Sequence, residues 1–201
     1  MNTEIQIPDQ MVKYILFQRT SYAKYARNKL FLIFNKYSPI SFYEKILDIG
    51  CGAAGIDVFL HRHYGLPDRL DFYLLDKSTI DKKVYYNYEP KGSFYNSLEL
   101  ARDFLCRNGL SERRIHLIEA TAENTIDAPA GIDFVISLIS WGFHYPVDTY
   151  LDRVYKLMRD GGHLIIDLRP GTGGEELLKG KFRQIRKISD FKKTCRILAV
   201  K

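Results

Sequence analysis

The chain has 201 residues, 46% of them hydrophobic and 27% charged, with a net charge of +6. That length suits one soluble domain with a full hydrophobic core and leaves little room for a second independent unit. No run of about eighteen apolar residues offers a membrane span, and residues 1 to 8 lack the basic-then-apolar layout of a signal peptide, so a cytoplasmic protein with no membrane partner is expected. The three cysteines, Cys51, Cys106 and Cys195, are odd in number and far apart. They show no paired spacing of a zinc site, which predicts free thiols and no metal.

In chain order, the first predicted element lies between residues 9 and 35. Met11, Ile15, Leu16, Tyr22, Tyr25, Ala26, Leu30, Ile33 and Phe34 recur at mostly three- and four-residue spacing. That period predicts one or two amphipathic helices, closed by Ser38-Pro39. Next comes Ile46-Leu47-Asp48-Ile49-Gly50-Cys51-Gly52-Ala53-Ala54-Gly55, an apolar strand running into an acid and then glycines. Gly50, Gly52 and Gly55 have the spacing of nucleotide-binding strand-to-helix turns, in which backbone amides and a helix N-terminus face the bound group. Asp48 qualifies that reading, because a carboxylate at the strand end repels a pyrophosphate but can accept from an ammonium. A nucleotide bearing a cationic amino acid fits better than a dinucleotide.

A second strand is predicted over residues 70 to 76, ending in Asp76, roughly 20 residues beyond the glycines, where an acid can accept both ribose hydroxyls. Residues 84 to 96 hold Tyr85, Tyr86, Tyr88, Phe94 and Tyr95 in a stretch punctuated by Pro90 and Gly92. Those rings either wall a pocket or pin the loop to the surface. A helix over 97 to 108, stopped by Gly109, follows, then short strands over 115 to 120 and 132 to 138. A helix over 147 to 158, a fifth strand over 161 to 168 and a hairpin of 182 to 189 with 194 to 200, turning through residues 190 to 193, complete the chain. Strands alternating with helices predict an α/β, doubly wound, Rossmann-like sheet covered on both faces.

Four blocks in this order resemble the class I S-adenosylmethionine-dependent methyltransferases: LDIGCG at 47 to 52, Asp76, DFVISLISWGFHY at 133 to 145 and LMRDGGHLIIDL at 157 to 168. The resemblance covers roughly residues 44 to 201. It implies a seven-stranded, mostly parallel sheet whose antiparallel last strand inserts beside the fifth, with residues 1 to 40 as a helical lid on a cofactor domain of residues 41 to 201. It implies S-adenosylmethionine as cofactor, held by Asp48, Gly50, Cys51, Gly52, Gly55, Asp76, Lys77, Ser137 and Leu138. One departure stands out. Where the family commonly has an acid facing the adenine amino group, this chain has Thr121, so Thr121, the Ala122 amide and Glu123 become the expected adenine contacts.

Ligands of open parallel sheets bind beyond the strand C-termini. The block around Trp141 and His144 is therefore the expected place of chemistry. His144 has the side chain suited to take a proton near neutral pH, with Tyr145 as the alternative; the competing reading makes His144 a packing residue beside Trp141. Arg19, Tyr22, Tyr95 and Trp141 are the candidate acceptor contacts. The leading expectation is a methyltransferase acting on a small molecule; a looser similarity to bacterial sugar and surface-polysaccharide methyltransferases points to O-methylation of a glycan precursor. The basic C-terminal stretch, Lys179, Lys181, Arg183, Arg186, Lys187, Lys192, Lys193, Arg196 and Lys201, reads as the solvated face of an edge element or as a patch for RNA or a protein acceptor. A non-catalytic nucleotide-binding protein is the third reading. Oligomeric state is not legible.

Overall fold

The computed structural model describes residues 44–64, 69–78 and 97–201. The predicted N-terminal helices, the aromatic loop, and with them Arg19, Tyr22 and Tyr95, lie outside the described residues. The strands are β1 (Lys45–Ile49), β2 (Asp71–Asp76), β3 (Ile115–Glu119), β4 (Ile132–Ser137), β5 (Ser140–Tyr145), β6 (Met158–Leu168), β7 (Gln184–Phe191) and β8 (Thr194–Val200). The helices are α1 (Gly55–Tyr64), α2 (Leu98–Arg107), α3 (Leu151–Leu157) and α4 (Gly174–Lys179).

The sheet is seven-stranded, in the order β3-β2-β1-β4-β6-β8-β7, with β5 outside it. Strands β3 to β6 of that order pair in parallel, and β8 runs antiparallel to both β6 and β7. The last strand is thus inserted beside the fifth strand of the sheet, as the resemblance implies. From β1 the chain winds outward through β2 to β3, then returns to place β4 on the other side of β1. This reversal makes the C-terminal ends of β1 and β4 the topological switch point, the place where open α/β sheets take ligands.

Alternation along each strand explains why both faces are covered. Ile46, Phe72, Leu74, Phe134 and Ile136 pack with α1 and α2 through Ile56, Leu60, Ala101 and Phe104. Leu47, Ile49, Leu75, Val135 and Ile166 pack on the opposite face with Val147, Leu151, Val154 and Leu178. Strands buried on both faces read as the near-continuous apolar runs that betray them in sequence. Helix α2 begins where the Ser97 side chain accepts from the Leu100 amide, and Gly109 at φ 95° follows its end.

Three predicted boundaries move. The helix expected over 147 to 158 divides into a 3₁₀ turn, Val147–Thr149, and the shorter α3. Strand β6 starts at Met158 rather than at 161, passing through Gly161 and Gly162 with a register shift against β4 between Ile132 and Phe134. A Cβ on Gly162 would lie 2.9 Å from the Arg159 carbonyl and 3.2 Å from that of Ile132, so the glycine pair marks a bulge inside the strand. In the hairpin, Phe191 stands opposite Thr194, which leaves Lys192 and Lys193 alone at the turn, two residues instead of four. Among the described residues no helix is long and apolar enough to cross a membrane.

Candidate functional site

The turn after β1 is held from one side by β2. Gly50 N and Cys51 N both donate to the Leu75 carbonyl, at 2.7 and 3.3 Å. The Asp76 carboxylate accepts from Gly52 N at 2.8 Å through Oδ2 and from Lys77 N at 2.7 Å through Oδ1. Asp76 therefore fixes the glycine turn as well as facing it. Gly50 and Gly52 sit at φ 76° and 56°, in the left-handed region, whereas Gly55 opens α1 with an ordinary φ and open space where a Cβ would be. Only the first two glycines of the motif are demanded by the backbone. Cys51 is buried between them, and the low dielectric together with Asp76 and Asp48 raises its thiol well above the usual range.

Beneath the turn lies a second acid that sequence reading missed. Asp57, in the first turn of α1, is 0% exposed, and Asp48 at the end of β1 is 2% exposed. Neither oxygen of Asp57 finds a donor among the described residues. Burial, and then the neighbouring Asp57 carboxyl, raise Asp48 well above the carboxylate range; burial pushes Asp57 up to about 7. Two buried carboxyls in one pocket cannot both ionise cheaply, so they share a proton and titrate as a unit. The signal in the sequence was an acid two residues into a helix whose neighbours, Ile56 and Val58, are core residues.

The other wall comes from the turn between β4 and β5. Ser137 Oγ donates to the Ile49 carbonyl at 2.8 Å and accepts from Trp141 N at 3.0 Å, so this fully buried side chain ties the ends of β1 and β4 to the start of β5. Leu138 packs into the core on the α1 side. Ile139 takes φ 52°, and Ser140 then lies so close to the glycine turn that a Cβ on Gly50 would sit 1.8 Å from its Oγ and 2.4 Å from its Cβ. Ser140 Oγ and the Tyr145 hydroxyl stand 3.3 Å apart. Burial raises the Tyr145 phenol far above its ordinary value; the Ser140 hydrogen bond opposes this, and Tyr150, Asp76 and Asp48 add to it. Tyr145 is thus placed beside Ser140 as a hydroxyl that donates or accepts a hydrogen bond. Asp48, Asp76, Ser140 and Tyr145 come together around the turn. Tyr150, which also feels Asp76, stacks edge-on against Tyr145 at 6.1 Å.

Trp141 belongs elsewhere. Its ring is completely buried, its Nε1 donates to the Val147 carbonyl at 2.8 Å, and it packs in the core against Tyr150. The expected acceptor contact is therefore a core side chain. His144 is half-buried on β5, edge-on to Phe143 at 5.0 Å. The Arg169 guanidinium covers the Phe143 ring at 4.7 Å and donates through Nε to the Phe143 carbonyl, anchoring this part of β5. Thr121, Ala122 and Glu123 are exposed beyond the end of β3, next to Ala120, whose amide donates to the Asp76 carbonyl. Thr121 Oγ1 stands 3.1 Å from Thr125 Oγ1, and the Glu123 carbonyl accepts from Arg153.

The basic C-terminal stretch is largely answered from within the chain. Lys179 pairs with Glu175, Lys181 with Asp152, Lys187 with Asp190, and Lys201 approaches Asp160 at 3.8 Å. Arg196 is not on the solvated face at all: it is fully buried in β8, paired with Asp167. Arg183, Arg186, Lys192 and Lys193 remain on the exposed side.

No family model matches the chain, and no curated protein matches it. Solved structures do. A SAM-dependent methyltransferase from Aquifex aeolicus is 14% identical with a TM-score of 0.61, the match covering 96% of this chain and 98% of that one. The S-adenosylmethionine-dependent methyltransferase SibL is 17% identical with a TM-score of 0.59, covering 92% and 58%. A 16S rRNA methyltransferase from T. Thermophilus, solved with AdoMet and guanosine, is 15% identical with a TM-score of 0.58, covering 86% and 41%. The chain spans little more than half the length of the second and less than half that of the third. Together with the strand order, these likenesses define the class of fold. This chain has the Rossmann-like fold of the class I S-adenosylmethionine-dependent methyltransferases.

Proposed function

We propose that this chain is a methyltransferase that uses S-adenosylmethionine and acts on a small molecule. The observation that carries the reading is the chemistry of the turn after β1. Three carboxyls surround it: Asp76 on the β2 side, and Asp48 with Asp57 buried beneath. Such an enclave repels a pyrophosphate and gains from a cation, so its donor set fits a sulfonium nucleotide with an ammonium group and disfavours a dinucleotide. When bound, that cofactor supplies a methyl carbon made electrophilic by its sulfonium.

The chain's own residues then have separable tasks. Asp76 accepts from the ribose hydroxyls while keeping the glycine turn closed. Asp48, backed by Asp57, gives the cationic end its counter-charge. Thr121, Ala122 and Glu123 form the rim facing the adenine. Because methyl transfer is an in-line displacement, rigid placement of donor and acceptor accounts for much of its acceleration. Tyr145, neutral beside Ser140, orients an acceptor oxygen, and His144 takes its proton if that acceptor is a hydroxyl. The ion pairs that occupy much of the basic stretch weigh against an RNA acceptor and support the small-molecule reading. Within that class, an O-methylated sugar or glycan precursor is the acceptor we favour.

The test is S-adenosylhomocysteine formation by the full chain with pooled sugars, nucleotide sugars, phenols and RNA. A product in a sugar or nucleotide-sugar pool is expected. Turnover confined to RNA would overturn the small-molecule assignment, and no turnover in any pool beside tight cofactor binding would favour a binding protein.

A further inference from the structure

We propose that the buried Asp167–Arg196 pair is a positioning device for the methyl-transfer site, holding the strained turn between β4 and β5 against the glycine turn. The inference rests on the methyltransferase reading for its catalytic consequence, but its geometry stands apart from it. Asp167 and Arg196 are register partners across β6 and β8, and both side chains are 0% exposed. Arg196 Nε donates to Oδ1 at 2.6 Å and Nη2 to Oδ2 at 2.7 Å, the two-pronged arrangement that fixes a carboxylate's plane.

Burying two charges is costly, and a well-packed apolar pair would hold two strands together as well or better. What an apolar pair lacks is a third contact. Asp167 Oδ2 also accepts from Ile139 N at 3.2 Å. Ile139 is β-branched and sits at φ 52°, a conformation that such residues adopt only when their surroundings impose it. The next residue, Ser140, presses against Gly50 and meets the Tyr145 hydroxyl. A continuous chain of contacts therefore runs from β8, the last strand, through Asp167 and Ile139 to the wall of the candidate site. Ser137, bonded to the Ile49 carbonyl and the Trp141 amide, secures the near side of the same turn. The Asp167 carboxylate secures the far side, and the two-pronged contact from Arg196 keeps that carboxylate aimed.

The test uses the full chain with the paired substitution Asp167→Leu and Arg196→Met, which removes both charges together and so avoids leaving one buried alone, and with Arg196→Lys, which keeps the charge but loses the fork. Amide exchange at residues 137 to 141 reads the turn directly. The paired variant should lose protection at Ile139 by about fivefold or more, the equilibrium equivalent of one hydrogen bond, while protection in β1 and β2 is unchanged. In turnover, kcat should fall by about tenfold to 10²-fold with the cofactor KM little altered, as misplacement rather than lost binding requires. Arg196→Lys, with the charge kept and the fork lost, should fall between the wild type and the paired variant in both. If the paired variant unfolds, Arg196→Lys alone decides, since a positioning role predicts an intermediate kcat at unchanged KM. Full protection at Ile139 and wild-type kcat in the folded paired variant, or in Arg196→Lys should the pair unfold, would make the pair a strand staple and overturn the proposal. Should the wild-type chain transfer no methyl group, the exchange result still judges the positioning of the turn, and only the proposed function fails.

Discussion

Asp57 makes the sharpest residue-level prediction, because its burial has a sign. Its folded carboxyl holds a proton up to about 7, whereas in the unfolded chain it ionises near the usual value of about 3.9. Between those values the folded state binds more protons than the unfolded one, so the Asp48–Asp57 pair removes stability as pH rises from about 4 to 7, by up to about 1.4 kcal/mol per pH unit. Below that window both states are protonated and the pair is neutral in effect. Asp57→Asn should remove this contribution: urea midpoints compared at pH 4.5 and pH 8 should show the variant gaining on the wild type at the higher pH. Equal differences at both values would mean that the pair does not share a proton. Gly50 and Gly55 offer a second contrast. Gly50→Ala demands a left-handed alanine with its Cβ 2.4 Å from that of Ser140, which no rotamer change relieves, so a loss of at least about 2 kcal/mol is expected in denaturation. Gly55→Ala, at a helix start with open space, should be neutral or stabilising by up to about 1 kcal/mol. For His144→Ala, a base for a hydroxyl acceptor predicts a rate loss of about 10² to 10⁴ with cofactor affinity intact; a smaller loss would make it a wall residue.

At the scale of elements, the central strands β1, β2 and β4 were legible because they are buried on both faces and so appear as apolar runs, whereas β5 was not read as a strand. Strand ends were less legible. Strand β6 looked shorter than it is because Gly161 and Gly162 read as a turn, while in the structure they accommodate a bulge. The Ser140–Gly50 contact joins residues far apart in the chain, and neither residue type announces it. Arg196 was hidden by its neighbours: counted with the nearby lysines it looked solvated, although an arginine inside TCRILAV and an aspartate inside HLIIDL are each anomalous in a buried strand and together suggest a pair. The same hairpin carries a prediction about charge. Lys192 and Lys193 form its exposed turn, so replacing both with glutamate should change turnover on a small acceptor by no more than about twofold, the usual range for surface positions. A large loss that deepens with salt would instead report phosphate contacts.

For the whole molecule, the winding of the sheet puts the described residues around the glycine turn at one end of the sheet. β1 delivers Asp48 and the glycine turn, β2 delivers Asp76, β3 leads into Thr121, and β4 leads into the Ser140 turn; β8, running the other way, braces that turn from behind through Arg196. The cofactor proposed for this end could be read from the order of acid, glycine and acid, since charge and turn geometry are local properties. The acceptor could not, because its candidate contacts are scattered over several distant segments of the sequence. The carboxyls of this end are proposed to bind a cationic nucleoside. Calorimetry on the full chain tests this binding most directly, titrating S-adenosylmethionine and NAD into wild type and into a folded Asp76→Ala variant. Saturable binding of S-adenosylmethionine is expected, with none of NAD and an affinity loss in the variant of about 1 to 3 kcal/mol. Binding of NAD in preference to S-adenosylmethionine, or an Asp76→Ala variant with undiminished affinity, would contradict it.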